Sequence, residues 1–172
     1  MRRQDEFEGF VEAQLPGLLG YARALSGNDH DAWDLVQECL VRMGARWSRI
    51  DRDGNPAAYA RTTLVRLNID RLRRRGRERP MEVVPEAGVE HPVPGVDPWM
   101  LAALRSLPPR QRTALVLRYV DDLDLRGIAA AMGCSVGTAK SQVSRGLAAL
   151  RLRAPEGSSF ADHLTGGHDV RG

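Results

Sequence analysis

Between Pro80 and Pro98 the chain carries Pro80, Pro85, Pro92, Pro94 and Pro98, with Gly88 and Gly95 among them. Each proline lacks a backbone N–H and clashes with the turn before it, so no helix can run through this stretch and no central strand can contain it. Glu82, Glu86, Glu90 and Asp97 add like charges, and an extended segment is expected. The break divides the 172 residues into two halves, each long enough for only a small core.

The half before the break reads as helices. Phe7, Phe10, Val11, Leu15, Leu18, Ala22 and Leu25 recur at helical spacing, with Pro16 expected to break or restart the helix and Ser26-Gly27-Asn28 to end it. A second helix is expected from Asp31 to about Trp47, burying Leu35, Val36, Cys39, Leu40 and Met43. Asp34, Gln37, Glu38 and Val41 then fall on its other side, a mixed face suited to docking. Asp34 and Glu38 are also spaced to hold a metal or to act as acid and base, although docking is the simpler use of them. Ser48 to Asn55 reads as a loop by its Asp, Gly and Asn content. Asn55 is then an N-cap and Pro56 a first helical residue, opening a third helix through AAYARTTLVRLNIDRLRRR. Ala58, Val65, Ile69 and Leu72 line its apolar face, widened by Leu64 and Leu67. Arg66, Arg73 and Arg77 share another stripe, broken by Asp70. From Arg61 to Arg79 eight arginines face only Asp70 and Glu78, which suggests a polyanionic partner.

In the second half, Asp97-Pro98 opens a helix through Trp99, Leu101, Leu104 and Leu107, which Pro108-Pro109 stops. Pro109 suits the start of the next helix, where Ala114, Leu115, Leu117 and Val120 give an apolar side. After a turn at Asp121-Asp122, Asp124 can cap a helix over Leu125 to Met132, Gly133 can end it in a left-handed conformation, and Ser135 can cap another. That is helix-turn-helix spacing. On the last helix Val136, Ala139, Val143, Leu147 and Leu150 share the expected buried face, so Thr138, Lys140, Ser141, Ser144 and Arg145 point away. Small residues flanked by hydroxyls and cations can enter a major groove and bond base edges and phosphates. A helical hairpin with a solvated face fits the same pattern.

With charged residues at 27% and aromatics at 5%, the expected fold is all-α. Two small helical domains, 1–79 and 98–153, are joined by a flexible linker at 80–97 and followed by a disordered tail at 154–172. Stretched, the linker could span about 60 Å, on the order of 18 base pairs of DNA, as a spacer or as a passive tether. Cys39 and Cys134 stand alone without CxxC spacing and read as buried thiols. Neither a metal nor a cofactor is expected. No apolar run approaches a membrane span and the charged N-terminus lacks a signal-peptide core, so a cytoplasmic protein with no membrane partner is expected. A DNA-directed enzyme is disfavoured by the lack of a nucleophile and base constellation or a carboxylate triad. A stand-alone helix-turn-helix regulator remains compatible with the C-terminal motif.

Three segments in order, DAWDLVQECLVRM at Asp31 to Met43, NPAAYARTTLVRLNIDRLRRR at Asn55 to Arg75 and the stretch from Leu107 to Arg151, resemble the extracytoplasmic-function (group IV) sigma factors of bacterial RNA polymerase. The likeness covers Phe7 to about Arg153 and is nearest the actinobacterial SigE-like group. It implies a factor that directs core polymerase to promoters in a stress, envelope or developmental response. It implies docking of Asp34, Gln37, Glu38 and Val41 on the β′ clamp helices, and a further contact of the C-terminal domain with the β flap. The third helix, through Asn68, Arg66, Arg71, Arg73, Arg74 and Arg75, would open and hold the minus-ten element, with the Ser48 to Asn55 loop forming a pocket for a captured base. Thr138, Lys140, Ser141, Ser144 and Arg145 would read the minus-thirty-five element. Promoter DNA and core polymerase are thus the implied partners, and an anti-sigma factor a further one. Trp33 stands where an acidic residue is common in the family, and Tyr59 where a tryptophan is common.

Overall fold

The structure, a computed structural model, describes residues 2–50, 54–77 and 98–154. Among them are eight helices and no strand: α1 (Arg2–Ser26), α2 (Asp29–Gly44), α3 (Trp47–Ile50), α4 (Pro56–Arg77), α5 (Pro98–Arg105), α6 (Pro109–Tyr119), α7 (Leu125–Met132) and α8 (Val136–Arg151). The expected linker, the tail from residue 155 on and the centre of the 48–55 loop lie outside the described residues. The chain separates into two compact units, the first built on α1 to α4 and the second on α5 to α8.

In the first unit α1 runs unbroken through Pro16, where a stop or restart was expected. Pro16 and Glu12, four residues before it, are both exposed, so water can take the carbonyl that the missing N–H leaves without its helical partner. Asn28 starts α2 two residues earlier than the periodicity suggests: its Oδ1 accepts from the Asp31 N–H at 2.8 Å. Leu35, Val36, Cys39 and Met43 are buried as expected, whereas Leu40 is only half-buried. α2 packs along α4, where Ala60, Leu64 and Leu67 are buried and the Ala60 carbonyl lies 3.6 Å from the Cys39 thiol. Ala58, assigned to the apolar face, is exposed. Ser48 to Ile50 belong to the short helix α3 rather than to a loop, because Trp47 must turn inward. Its ring meets those of Phe7 and Phe10 at centroid distances of 5.0 and 5.1 Å, in the tilted geometry that aromatic pairs favour.

In the second unit α6 packs against both α7 and α8. Ala114, Leu115, Val116 and Leu117 are buried, but Val120 is exposed. The helix-turn-helix forms from the residues expected to build it. The Asp124 carboxylate accepts from the Gly127 N–H at 2.7 Å, Gly133 takes a left-handed φ of 61°, and the Ser135 hydroxyl accepts from the Thr138 N–H at 3.1 Å. α8 buries Ala139, Val143, Gly146 and Leu150, while Val136, assigned to the buried face, is exposed. At Gly146 α8 packs tightly on α6. A Cβ there would stand 2.9 Å from Leu115 Cδ1. At the other end of the unit, Trp99 Nε1 donates to the Arg153 carbonyl at 3.0 Å.

Candidate nucleic-acid interface and docking face

The outer side of α2 gathers Asp34, Gln37, Glu38 and Val41, as expected from their three- and four-residue steps. Val41 is 74% exposed, an apolar residue ringed by charges. Trp33, four positions before Gln37, is also exposed at 44%, and helical spacing alone would have added it to the face. Glu38 accepts from Arg42 at 2.6 Å. His30 Nε2 lies 3.6 Å from the Asp34 carboxylate, again at a four-residue step. Among the described residues no group of three or more His, Cys, Asp or Glu side chains could hold a metal.

The basic helix α4 separates into two sets of residues. Arg66, Arg73 and Arg74 are exposed. Arg71 and Arg75 instead reach back to Asp31 at the start of α2: Arg71 Nη1 donates to Oδ1 at 3.0 Å and Arg75 Nη1 pairs with Oδ2 at 2.9 Å. Arg71 also lies 3.7 Å from Asp34, and Asn28 Nδ2 donates to Asp31 at 2.9 Å. Burial raises the Asp31 pKa, but the hydrogen bonds from Arg75 and Asn28 and the charges of Arg75 and Arg71 outweigh it and hold the carboxyl below its ordinary value. Asn68 is buried at 2% exposure. Of the six α4 residues expected to meet DNA, four are therefore exposed, Arg75 among them with 57% of its side chain open even as it pairs with Asp31, while Arg71 is half-buried against Asp31 and Asn68 is buried. Sequence reasoning could not separate them, because the partner of Arg71 and Arg75 lies on another helix.

A hollow of about 350 Å³ is lined by Arg46, Arg49, Ile50, Asn55 and Tyr59. Two guanidinium groups and an aromatic ring suit an unstacked base and its phosphate. Arg49, Ile50 and Asn55 come from the stretch expected to form a pocket, and Arg46 and Tyr59 are added from either side of it.

On α8, Thr138, Lys140, Ser141, Ser144 and Arg145 are all exposed. The Thr138 hydroxyl is joined to Ser135 at 2.9 Å and so belongs to the helix cap. An open groove of about 520 Å³ brings Lys140 and Ser144 together with Val136, Arg126 and Arg118. Thr138, Ser141 and Arg145 do not line it. Arg118 is oriented by donating to the Leu123 carbonyl at 2.9 Å. Arg118 and Arg126 come from α6 and α7, where one-helix periodicity gave no reason to single them out.

Cys39 is inert by contrast. It is buried, with its thiol 3.6 Å from the Ala60 carbonyl, and burial pushes its pKa up to about 11. No helix among the described residues is long and apolar enough to cross a membrane.

The profile of sigma-70 region 2 matches residues 10–78, and that of sigma-70 region 4 matches residues 99–150. The RNA polymerase sigma-E factor of Streptomyces avermitilis is 36% identical over 149 residues, covering 85% of this chain and 83% of that protein. The extracytoplasmic-function sigma factor SigE of Mycolicibacterium smegmatis is 38% identical over 143 residues, covering 76% of this chain and 54% of that one. Among solved structures, the sigma factor RpoE in complex with the anti-sigma factor NepR from Bartonella quintana superposes with a TM-score of 0.54 at 28% identity, covering 86% of this chain and 96% of that one. Two region matches in order and relatives of this closeness place the chain in the sigma-70 family, as a SigE-like member of its extracytoplasmic-function branch.

Proposed function

We propose that the chain is a promoter-specificity subunit: it binds core RNA polymerase, directs initiation at a small set of promoters and performs no catalysis itself. The observation that carries this reading is one chain with an exposed acidic and apolar side on α2, a basic helix α4 and a helix-turn-helix with cations around its groove, its two sigma-70 regions in order. Residues 1–79 are the unit that docks on polymerase and opens the minus-ten element, and residues 98–153 the unit that reads the minus-thirty-five element. Asp34, Gln37, Glu38 and Val41 are the polymerase contacts, joined by Trp33. Arg66, Arg73 and Arg74 take phosphates, and the Arg46, Arg49 and Tyr59 hollow receives the captured base. Asn68, Arg71 and Arg75 set the geometry of α4, and a strand could recruit the two arginines only by competing with Asp31. Lys140, Ser141, Ser144 and Arg145 read base edges upstream, while Arg118 and Arg126 add phosphate contacts.

A sigma factor solved in complex with an anti-sigma factor is among the structural relatives, and an inhibitor of that kind acts here by covering one of these faces. The protein works in the cytoplasm, where polymerase and chromosome meet. The decisive experiment is run-off transcription of fragmented genomic DNA with core polymerase and the purified chain, followed by sequencing of the start sites. Discrete starts that depend on the chain are expected. Absence of both core binding and initiation overturns the proposal, and tight promoter binding without polymerase would favour a stand-alone regulator.

A further inference from the structure

Val136 is the first residue of α8, and it is 46% exposed where helical periodicity had placed it inside. A single exposed valine needs no explanation on its own. This one lines the groove shared by Lys140, Ser144, Arg118 and Arg126. Val136, Lys140 and Ser144 follow one another at four-residue steps, so they form one stripe along the helix. Leu125, Val143 and Asp124 complete the lining, the Asp124 carboxylate being taken up by the Gly127 N–H, so the groove joins apolar side chains to three cations and only one acid. The polyanion that a helix-turn-helix admits is duplex DNA in its major groove, which offers both phosphates and an apolar group. In that groove the exposed apolar group that distinguishes one base from the others is the C5 methyl of thymine. The N-terminal residues of the second helix are those that reach base edges in such motifs.

We infer that Val136 is a specificity-determining residue that packs its branched side chain against a thymine methyl in the upstream promoter element. The inference rests on the proposed sigma function and adds the chemical class of one base that the C-terminal unit selects. The cap at Ser135 holds Val136 in place, since the serine hydroxyl accepts from the Thr138 N–H and donates to the Thr138 hydroxyl, closing the first turn of α8.

The test uses holoenzyme reconstituted from core polymerase and the full chain, on a promoter found by run-off transcription. Each thymine of the upstream element, on either strand, is replaced singly by uracil, which removes only the methyl and keeps pairing. At fixed salt, one replacement should weaken binding about fourfold, the effect of exposing one buried methyl-sized group. Val136→Ala should weaken binding to thymine DNA by a similar factor and bind the thymine and uracil promoters equally. The inference is overturned if no uracil replacement affects the wild-type holoenzyme, or if Val136→Ala remains sensitive to the replacement. Because the wild-type protein is never altered in the first arm, misfolding of a variant cannot produce that result. Initiation from the unmodified promoter without any methyl effect removes this inference alone, whereas failure to initiate from any promoter removes the sigma reading with it.

Discussion

Arg75 and Asp31 are 44 positions apart in sequence and 2.9 Å apart in the structure. The pair, with Arg71 at 3.0 Å, joins the last turns of α4 to the first turn of α2. Since α2 carries the proposed docking face and α4 the arginines proposed to take phosphates, one buried carboxylate ties together the two helices that present them. Its folded pKa lies below the ordinary value of 3.8, so its stabilisation is complete above that value and is lost as pH falls through the lower folded one. Asp31→Asn should cost about 1.5–3 kcal/mol at neutral pH, measured by urea unfolding, because two guanidinium partners lose a charged acceptor. The gap between variant and wild type should narrow as pH drops below about 4. A gap as wide at pH 3 as at pH 7 would remove the carboxylate as its cause.

Two glycines of α8 should respond oppositely to the same substitution. At Gly146 a new Cβ would stand 2.9 Å from Leu115 Cδ1 and 3.0 Å from its Cγ, and Leu115 is buried. At Gly137 the nearest atom is Ser135 Oγ at 3.9 Å, an ordinary contact. Gly146→Ala should therefore be less stable than Gly137→Ala by about 1–3 kcal/mol, the usual cost of overpacking. Equal melting temperatures for the two variants would show that Leu115 yields freely.

Glu38→Ala should lower affinity for core polymerase and leave the fold intact. The Glu38 and Arg42 pair it removes is exposed on both sides, and such helix pairs stabilise by only about 0.3–0.5 kcal/mol. A titration showing unchanged core affinity, alongside an unchanged circular dichroism spectrum, would take this carboxylate out of the interface.

Base reading and phosphate binding on the C-terminal unit should separate in their salt dependence. Arg145→Ala should weaken use of the upstream element by about 1–3 kcal/mol and relax selectivity at one base. Arg126→Ala, in the groove wall, should weaken binding to all promoters alike and reduce the slope of log affinity against log salt by about 1. Loss of sequence discrimination in Arg126→Ala would reverse that assignment.

The local rules read this chain well wherever a helix end is made by its own neighbours. Asn55, Asp124, Gly133 and Ser135 occupy the positions that their chemistry selects. The grouping of Asp34, Gln37, Glu38 and Val41 on the outer side of α2 was legible for the same reason, since spacing within one helix decides it. What spacing could not supply was any contact between helices. Arg71 and Arg75 look like free phosphate ligands until Asp31 is placed beside them, and Arg118 and Arg126 look incidental until the groove assembles. Val136 was misplaced because the first turn of a helix projects past the partner that buries later turns. Pro16 misled in the other direction: a rule about lost hydrogen bonds assumes a buried carbonyl, and that face of α1 is open to water.

The joint between α7 and α8 is closed by its own atoms. The Gly133 and Cys134 N–H groups return to the Ala130 and Ala129 carbonyls at 3.4 and 3.0 Å, and Ser135 then holds the next turn. The angle between the two helices is thus settled when the protein folds, with no loop left to order on contact with a promoter. Discrimination between related promoters can then follow the side chains alone, and a family member could exchange residues at 136, 140, 144 and 145 to change its targets without retuning the scaffold that presents them.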